Sequence, residues 1–556
     1  MASSGSPDSP TPQDDRISAP APLSSGQRRL WFLQQLRGDS GEYHIPEAYR
    51  LHGALHPEAL ARALDALVAR HESLRTQFLD ARGQPLQQPV PPRPVDLPVE
   101  DLKACNAAEQ EGRVAQVLRD EWWQPFDLTT GPLLRARLLK LTDTEHILVL
   151  TTHHIASDGW SQGILRHELG ILYAAFCEGR EVPLGQADIQ YADYALWQRD
   201  RIESSAVSDS LKYWEDQLRG LPPLLTLPAD RPRAARSDAT GGICRRDVDA
   251  QVTARLRRIG ASQGATLYMT TLAAFGVLLS RYSGQQAIAV GTPIANRNHV
   301  RFEGLVGLLA NTLALRVSVH PDAGFGELLR DVRQTTLQAH EHQEAPFERI
   351  VEMLSPDRRL GRTPVFQVLF ALQPSSKAAP DLRDLRVEPI ELPDIRARFD
   401  LELHVAESQG CVTLQWVYDA SLFDRSRIER MADDFDRLLE EVSRDPSARV
   451  AGLGPREVLP PAPGAAEPDQ LEQPSVPAEV PAVGSSPREE VLRGLFAEVL
   501  GLPEVDRHDS FFLLGGHSLM AMSLIAKVQD LWGIELTVSD IFIAPSPAEL
   551  AVHITT

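Results

Sequence analysis

The chain has 556 residues, 43% of them apolar and 24% charged, with 42 prolines and a net charge of −20. That is long for one hydrophobic core, so roughly two to four folded units with proline-rich joints are expected. The negative charge argues against nucleic-acid backbones or an anionic membrane as the main partner, and no apolar run approaches membrane-spanning length.

Residues 1–17 begin MASSGSPDSPTPQDDR, without the basic start and apolar centre of a secretion signal, and read as a disordered tail. The four cysteines, Cys105, Cys177, Cys244 and Cys411, lie far apart in no metal-ligand spacing, which points to a reducing cytoplasm.

Dense helix and strand patterning follows. LHPEALARALDALVARHESLRTQF, ending at Phe78, repeats apolar residues at helical spacing and runs into a strand. EHILVLTTHH (145–154) reads as a buried strand, and WSQGILRHELGILYAAF (160–176) as a helix packed on a sheet. A similar order returns with a helix at 266–284, a strand and turn at 285–294, and a long closing helix in RIERMADDFDRLLEEVSR. The fold class is therefore α/β in two lobes, 18–182 and 183–455.

Nine prolines stand between Pro446 and Pro481, and no aromatic residue lies between Phe435 and Phe496. Residues 456–486 thus form an extended, semi-stiff linker. The remainder, 487–556, carries amphipathic helices ended by Gly501 and Gly533 and a last short helix, as in a small helical bundle. Its ten Asp and Glu against four Lys and Arg give −6, a surface suited to docking.

Two stretches carry chemistry. HHIASDGW (153–160) follows the buried strand. Neighbouring side chains in a strand face opposite ways, so only one of His153 and His154 can face a given cavity. That makes the pair poor ligands for one metal, and no third ligand stands at a familiar spacing. A pair of satisfied core histidines is the plainer reading. Asp158 can hold the loop through a hydrogen bond or a cation, and Gly159 lets the backbone turn before the helix. One free imidazole nitrogen at a strand end is placed to exchange a proton. With no convincing covalent nucleophile nearby, direct transfer between two substrates fits best. In FFLLGGHSLM (511–520), Ser518 opens an apolar helix. It can be a helix cap or a site of covalent modification. A hydrolase elbow fails, because Met520 stands where glycine is needed.

Taken in order, these segments resemble a known pair of domains. LSSGQRRLWFLQQL (23–36), YHIP (43–46), RHESLRTQF (70–78), HHIASDGWS (153–161), YADYALWQ (191–198) and LPADRPR (227–233) are similar to the successive motifs of nonribosomal peptide synthetase condensation domains. GTPIANR (291–297), GLLANTLALR (307–316), HQEAPFERIVEML (342–354) and RTPVFQVLF (362–370) continue the series. DSFFLLGGHSL (509–519) resembles the attachment segment of a peptidyl carrier protein, or thiolation, domain.

The resemblance covers residues 18–455 and 487–556. It implies two chloramphenicol-acetyltransferase-like lobes meeting in a V, followed by a small four-helix carrier bundle. Donor and acceptor arms would enter a tunnel from opposite sides. His154 would face the tunnel and orient, or take a proton from, the attacking amine. His153 and Asp158 would be structural, Arg75 would pair with Asp158, and Gly159 would keep space beside the thioester. Ser518 would bear a covalent 4′-phosphopantetheine. No metal is implied. GLLANTL departs mildly from the family's usual form, which implies a change of shape near the tunnel with activity kept.

The implied reaction is transfer of a donor acyl or peptidyl thioester onto the amine of an aminoacyl group held on Ser518. An ester-forming or free-amine-accepting variant, or a non-catalytic docking platform, stands as the alternative. Heterocyclising relatives replace both histidines with aspartate, which is not the case here. No adenylation unit stands between the two domains, so a separate enzyme is expected to load Ser518, and release of the product is expected to occur elsewhere. The implied partners are an upstream donor carrier, an adenylating enzyme in trans, a phosphopantetheinyl transferase, and a downstream synthetase or release enzyme.

Overall fold

The computed structural model describes residues 19–37, 41–81, 84–233, 240–354, 364–373, 379–392, 395–408, 410–455, 460, 487–511, 514, 518–534, 536, 540–541 and 544–554. The tail 1–17 and nearly all of the expected linker lie outside them.

In the first lobe, the run EHILVLTTH forms the strand Glu145–His153, with every residue after Glu145 buried. It is apolar on both faces because helices cover both. Leu148 and Leu150 join the core made with the helices Pro57–Arg70 and Gly159–Cys177, while Ile147 and Val149 meet Val114, Val117 and Leu118 of the helix Ala107–Trp123. The sheet runs in the order Arg386–Pro389, His44–His52, Glu145–His153, Leu134–Lys140, Val99–Asp101. In its antiparallel register His44 lies opposite His153. The outermost strand comes from far beyond residue 183: Arg386–Pro389 returns to pair with His44–His52. The first lobe's sheet is thus completed by the second half of the chain.

The second lobe is built on a seven-stranded sheet in the order Asn311–Ser318, Ala287–Ile294, Val368–Gln373, Leu401–Ser408, Cys411–Asp419, Thr240–Val248, Ile395–Arg396. Its central helix, Leu267–Ser283, is apolar nearly all round and is buried accordingly. Phe275 of that helix meets Trp416 of the sheet and Phe435 of the closing helix Arg425–Arg444 edge-on. The segment 302–309 leaves this lobe and packs Phe302, Leu305, Val306, Leu308 and Leu309 into the first lobe's core.

In the C-terminal unit the described helices are Pro487–Leu500, Ser518–Trp532 and Pro547–His553. Gly501 and Gly533 follow the first two with φ of 68° and 67°, the left-handed conformation that glycine adopts freely at a helix end. Phe496 and Phe511 meet edge-on in its core.

Candidate active site

The buried strand delivers His153 as its last residue, and the chain then turns through the short helix His154–Ala156. His153 is 3% exposed and packs edge-on against His44 and Phe126. Its Nδ1 accepts a hydrogen bond from the Ile155 N–H at 3.1 Å, which leaves the ring proton on Nε2. Burial pushes its pKa well below the usual imidazole range. The ring is a neutral part of the core.

His154 differs. Its backbone N–H is fixed to the Tyr43 carbonyl at 2.7 Å, but its Nδ1 is enclosed with no hydrogen-bond partner among the described residues. Burial, then the charge of Arg398, lowers its pKa to about 4, with its own carbonyl, Asp158 and the Ser157 backbone opposing. At neutral pH this imidazole is uncharged and holds a lone pair for an incoming proton.

The loop is held by Asp158, 1% exposed. Its Oδ1 accepts from the Ser161 N–H at 2.9 Å, capping the helix Gly159–Cys177, and from the Ser161 hydroxyl at 2.8 Å. Its Oδ2 accepts from the N–H groups of Leu309 and Ala310, both at 3.0 Å. Arg297 donates to the two oxygens at 3.0 and 3.1 Å. Burial alone would raise this carboxyl's pKa; Arg297 and the bonds from Ser161 outweigh it and hold it below the usual carboxylate range. Ser161 Oγ also receives Arg297 Nη2 at 2.9 Å and the Gly307 N–H at 3.1 Å. The stretches 297 and 307–310, well over a hundred residues beyond 158–161, thus close on one carboxylate.

One expected pairing is corrected. Asp158's cation is Arg297, and Arg75 lies elsewhere. Arg75 is 3.6 Å from Glu72 and donates to the Val90 carbonyl, so it ties the turn at 72–75 to the strand-end residue Val90. The physical reason is occupancy: both Asp158 oxygens are already filled, by Arg297, Leu309 and Ala310 from the second lobe and by Ser161 from the first. Arg297 and Ser161 stand at the ends of GTPIANR and HHIASDGWS, but nothing in their spacing marks them as partners of Asp158.

Gly159 opens the helix without a left-handed φ, so the turn does not require glycine. A Cβ there would meet nothing within 4 Å, so the space beside it is open. Ser518 is the first residue of the helix Ser518–Trp532; its side chain lies outside the described residues. A phosphodiester joined there would stand at the positive end of a helix dipole, which suits its charge. Among the described residues, no cluster of His, Cys, Asp or Glu is placed to hold a metal, and no helix is long and apolar enough to cross a membrane.

Comparison with known proteins gives the family. Residues 17–454 match the family described as "Condensation domain", and residues 490–554 match "Phosphopantetheine attachment site". The chain is 41% identical to malpinin synthetase of Mortierella alpina over 77% of its own length, but spans only 6% of that protein. It is 38% identical to phosphinothricin tripeptide synthetase PhsC of Streptomyces viridochromogenes, covering 81% of this chain and 42% of PhsC. Among solved structures, the X-domain from teicoplanin biosynthesis aligns with a TM-score of 0.72 at 29% identity, over 80% of this chain and 98% of that one. The four-domain synthetase AB3403, bound to AMP and glycine, shares the fold, with a TM-score of 0.71 at 22% identity over 79% of this chain and 34% of that one.

Proposed function

Since this chain belongs to the condensation-domain family, with a phosphopantetheine attachment unit behind that domain, we propose that it forms amide bonds in nonribosomal peptide synthesis. The acyl or peptidyl donor would arrive on a separate carrier, and the acceptor would be an aminoacyl group on Ser518. The observation that carries this reading is the uncharged His154 imidazole, on a loop clamped by Asp158.

The reaction exchanges an activated C–S bond for a C–N bond: the nitrogen sheds a proton, and the donor arm departs with its sulfur protonated as a free thiol. When attached, 4′-phosphopantetheine supplies a long thiol-ended arm that presents the substrate as a thioester. Ser518 would hold it through its hydroxyl oxygen. His154 would orient the attacking amine and take up its proton on the imidazole. Asp158, Arg297 and Ser161 touch no reacting atom in this scheme; they hold the backbone that aims His154. His153 fills the core behind it. The open space at Gly159 leaves room for the acyl group. Because the donor is already activated, holding the two reactants in line can supply much of the rate.

We assign the chloramphenicol-acetyltransferase-like lobes to 18–182 and 183–455, meeting in a V with His154 at the tunnel between them. The linker is then 456–486, and a four-helix carrier spans 487–556. An adenylating enzyme, a phosphopantetheinyl transferase, an upstream carrier and a downstream synthetase or release enzyme complete the reading. A cytoplasmic setting suits the four cysteines, all of them free thiols. The likeness to the X-domain, a structure also solved in complex with OxyB, supports a docking platform as the second reading.

The test is intact-protein mass spectrometry on the chain loaded at Ser518 and mixed with an acyl-loaded donor carrier. Transfer of the acyl mass to this chain supports amide formation. A correctly loaded chain that never gains it leaves the platform reading.

A further inference from the structure

The hydrogen bonds around Asp158 do not end at the second lobe. Tyr191, the first residue of the helix Tyr191–Ile202, is 1% exposed, and its hydroxyl donates to the Leu308 carbonyl at 2.6 Å. A phenol has one proton to give, so the 2.8 Å contact with Ser24 Oγ must be a bond donated by the serine. Ser24 Oγ in turn accepts from the Gln27 N–H at 3.1 Å, at the start of the first helix, Ser25–Arg37. Donation therefore runs one way, from Gln27 N–H to Ser24 O–H to Tyr191 O–H, and ends on the Leu308 carbonyl, which accepts.

The Leu308 carbonyl and the Leu309 N–H belong to one peptide unit, and that N–H donates to Asp158 Oδ2 at 3.0 Å. A donor on the oxygen of a peptide draws charge from its nitrogen and strengthens the bond the N–H makes on the other side. The Tyr191 ring also lies against Gly307, where any Cβ would overlap it. The segment 307–310 is thus pinned from one side by Tyr191 and from the other by Asp158 and Ser161.

We propose that Tyr191 is a positioning residue for amide formation: its hydroxyl fixes the Leu308–Leu309 peptide against Asp158, and thereby the loop that carries His154. This rests on the reading of His154 as the reacting site. Tyr191 touches no substrate in this scheme. Its ring could be replaced by phenylalanine with the same packing, so the role lies in one oxygen atom.

The experiment compares Tyr191→Phe, Ser24→Ala and the double variant in the full chain, loaded on Ser518. A loop released by a fraction of an ångström should cost about tenfold to hundredfold in kcat, with the donor KM within about twofold of wild type. Ser24→Ala should cost less, and the double variant should equal Tyr191→Phe, because both act along one chain of bonds. An unchanged kcat in Tyr191→Phe, or losses that multiply in the double variant, would overturn the proposal. Amide hydrogen exchange gives a readout that needs no turnover. The Leu309 and Ala310 N–H groups should exchange about tenfold faster in Tyr191→Phe, and to a lesser degree in Ser24→Ala, while the strand Glu145–His153 keeps its protection. Equal exchange in both variants and wild type overturns the positioning role. Faster exchange in a chain whose wild type makes no amide would retain the clamp and reject the function read from it.

Discussion

Asp158 and Arg297, 139 residues apart, face each other through hydrogen bonds of 3.0 and 3.1 Å, with side chains 1% and 2% exposed. Neither charge could be buried alone. With Arg297, the N–H groups of Leu309 and Ala310 and Ser161, each carboxylate oxygen is filled, so the desolvation of Asp158 is offset. The pair joins a loop of the first lobe to two segments of the second.

Removing the cation should therefore be severe. Arg297→Ala leaves the Asp158 carboxylate buried without its counter-charge, and a loss of about 3–5 kcal/mol is expected. Arg75→Ala removes the contacts with Glu72 and with the Val90 and Ala69 carbonyls, and should cost about 1–2 kcal/mol. Urea unfolding of the two variants checks the ranking. Equal losses would contradict the burial argument for Arg297.

His154→Ala tests the chemistry. It removes a half-buried ring whose Nδ1 bonds to nothing among the described residues, so stability should change little. If the ring takes the amine's proton, amide formation should fall by about 10²–10⁴-fold. Single-turnover mass spectrometry with both arms loaded gives the rate. A wild-type rate in this variant would remove His154 from the mechanism.

The buried histidines set an acid limit on the fold. Burial lowers His44 to about 4 and His153 well below its usual range. An unfolded histidine titrates near about 6.5, so between about pH 6.5 and 4 the unfolded chain binds protons that the folded chain refuses. Stability is then complete above that window and falls as the pH drops through it. His44 alone should account for on the order of 3 kcal/mol of the loss. Urea midpoints at pH 7.5 and 5.0 should differ in wild type, and less so in His44→Asn. Equal midpoints in wild type would contradict the burial argument.

Gly307 has no room for a side chain. A Cβ there would overlap the Tyr191 ring, which is itself 1% exposed and bonded at its hydroxyl. Gly307→Ala should cost about 1–3 kcal/mol from overpacking. It should also slow amide formation by shifting 307–310. A melting temperature equal to wild type would show that the ring can move aside.

Ser518→Ala should abolish the mass gain on incubation with coenzyme A and a phosphopantetheinyl transferase. Persistence of that gain would move the attachment to another hydroxyl.

Much of the fold is legible locally. The strand expected at 145–154 is Glu145–His153, and the helix expected at 160–176 is Gly159–Cys177. The helix expected at 266–284 is Leu267–Ser283, ended by Gly284 at φ 71°. Continuous apolar runs and a terminal glycine are signals that need no tertiary context. The partner of Asp158 has no such signal. Arg297 is one of 56 basic residues, and pairing over 139 positions leaves no periodic trace. The edge strand Arg386–Pro389 is equally silent. It is four residues long and mostly exposed, so it lacks the alternation by which strands are read.

That short strand bears on how such chains can be recombined. Because Arg386–Pro389 completes the sheet of the other lobe, the molecule does not divide into two exchangeable halves at residue 183. A chimaera joined there would take the edge of its first sheet from a foreign parent and put the mismatch beside His44–His52, the neighbour of the histidine strand. Exchanges should therefore carry 386–389 along with the first lobe, or replace both lobes as a unit.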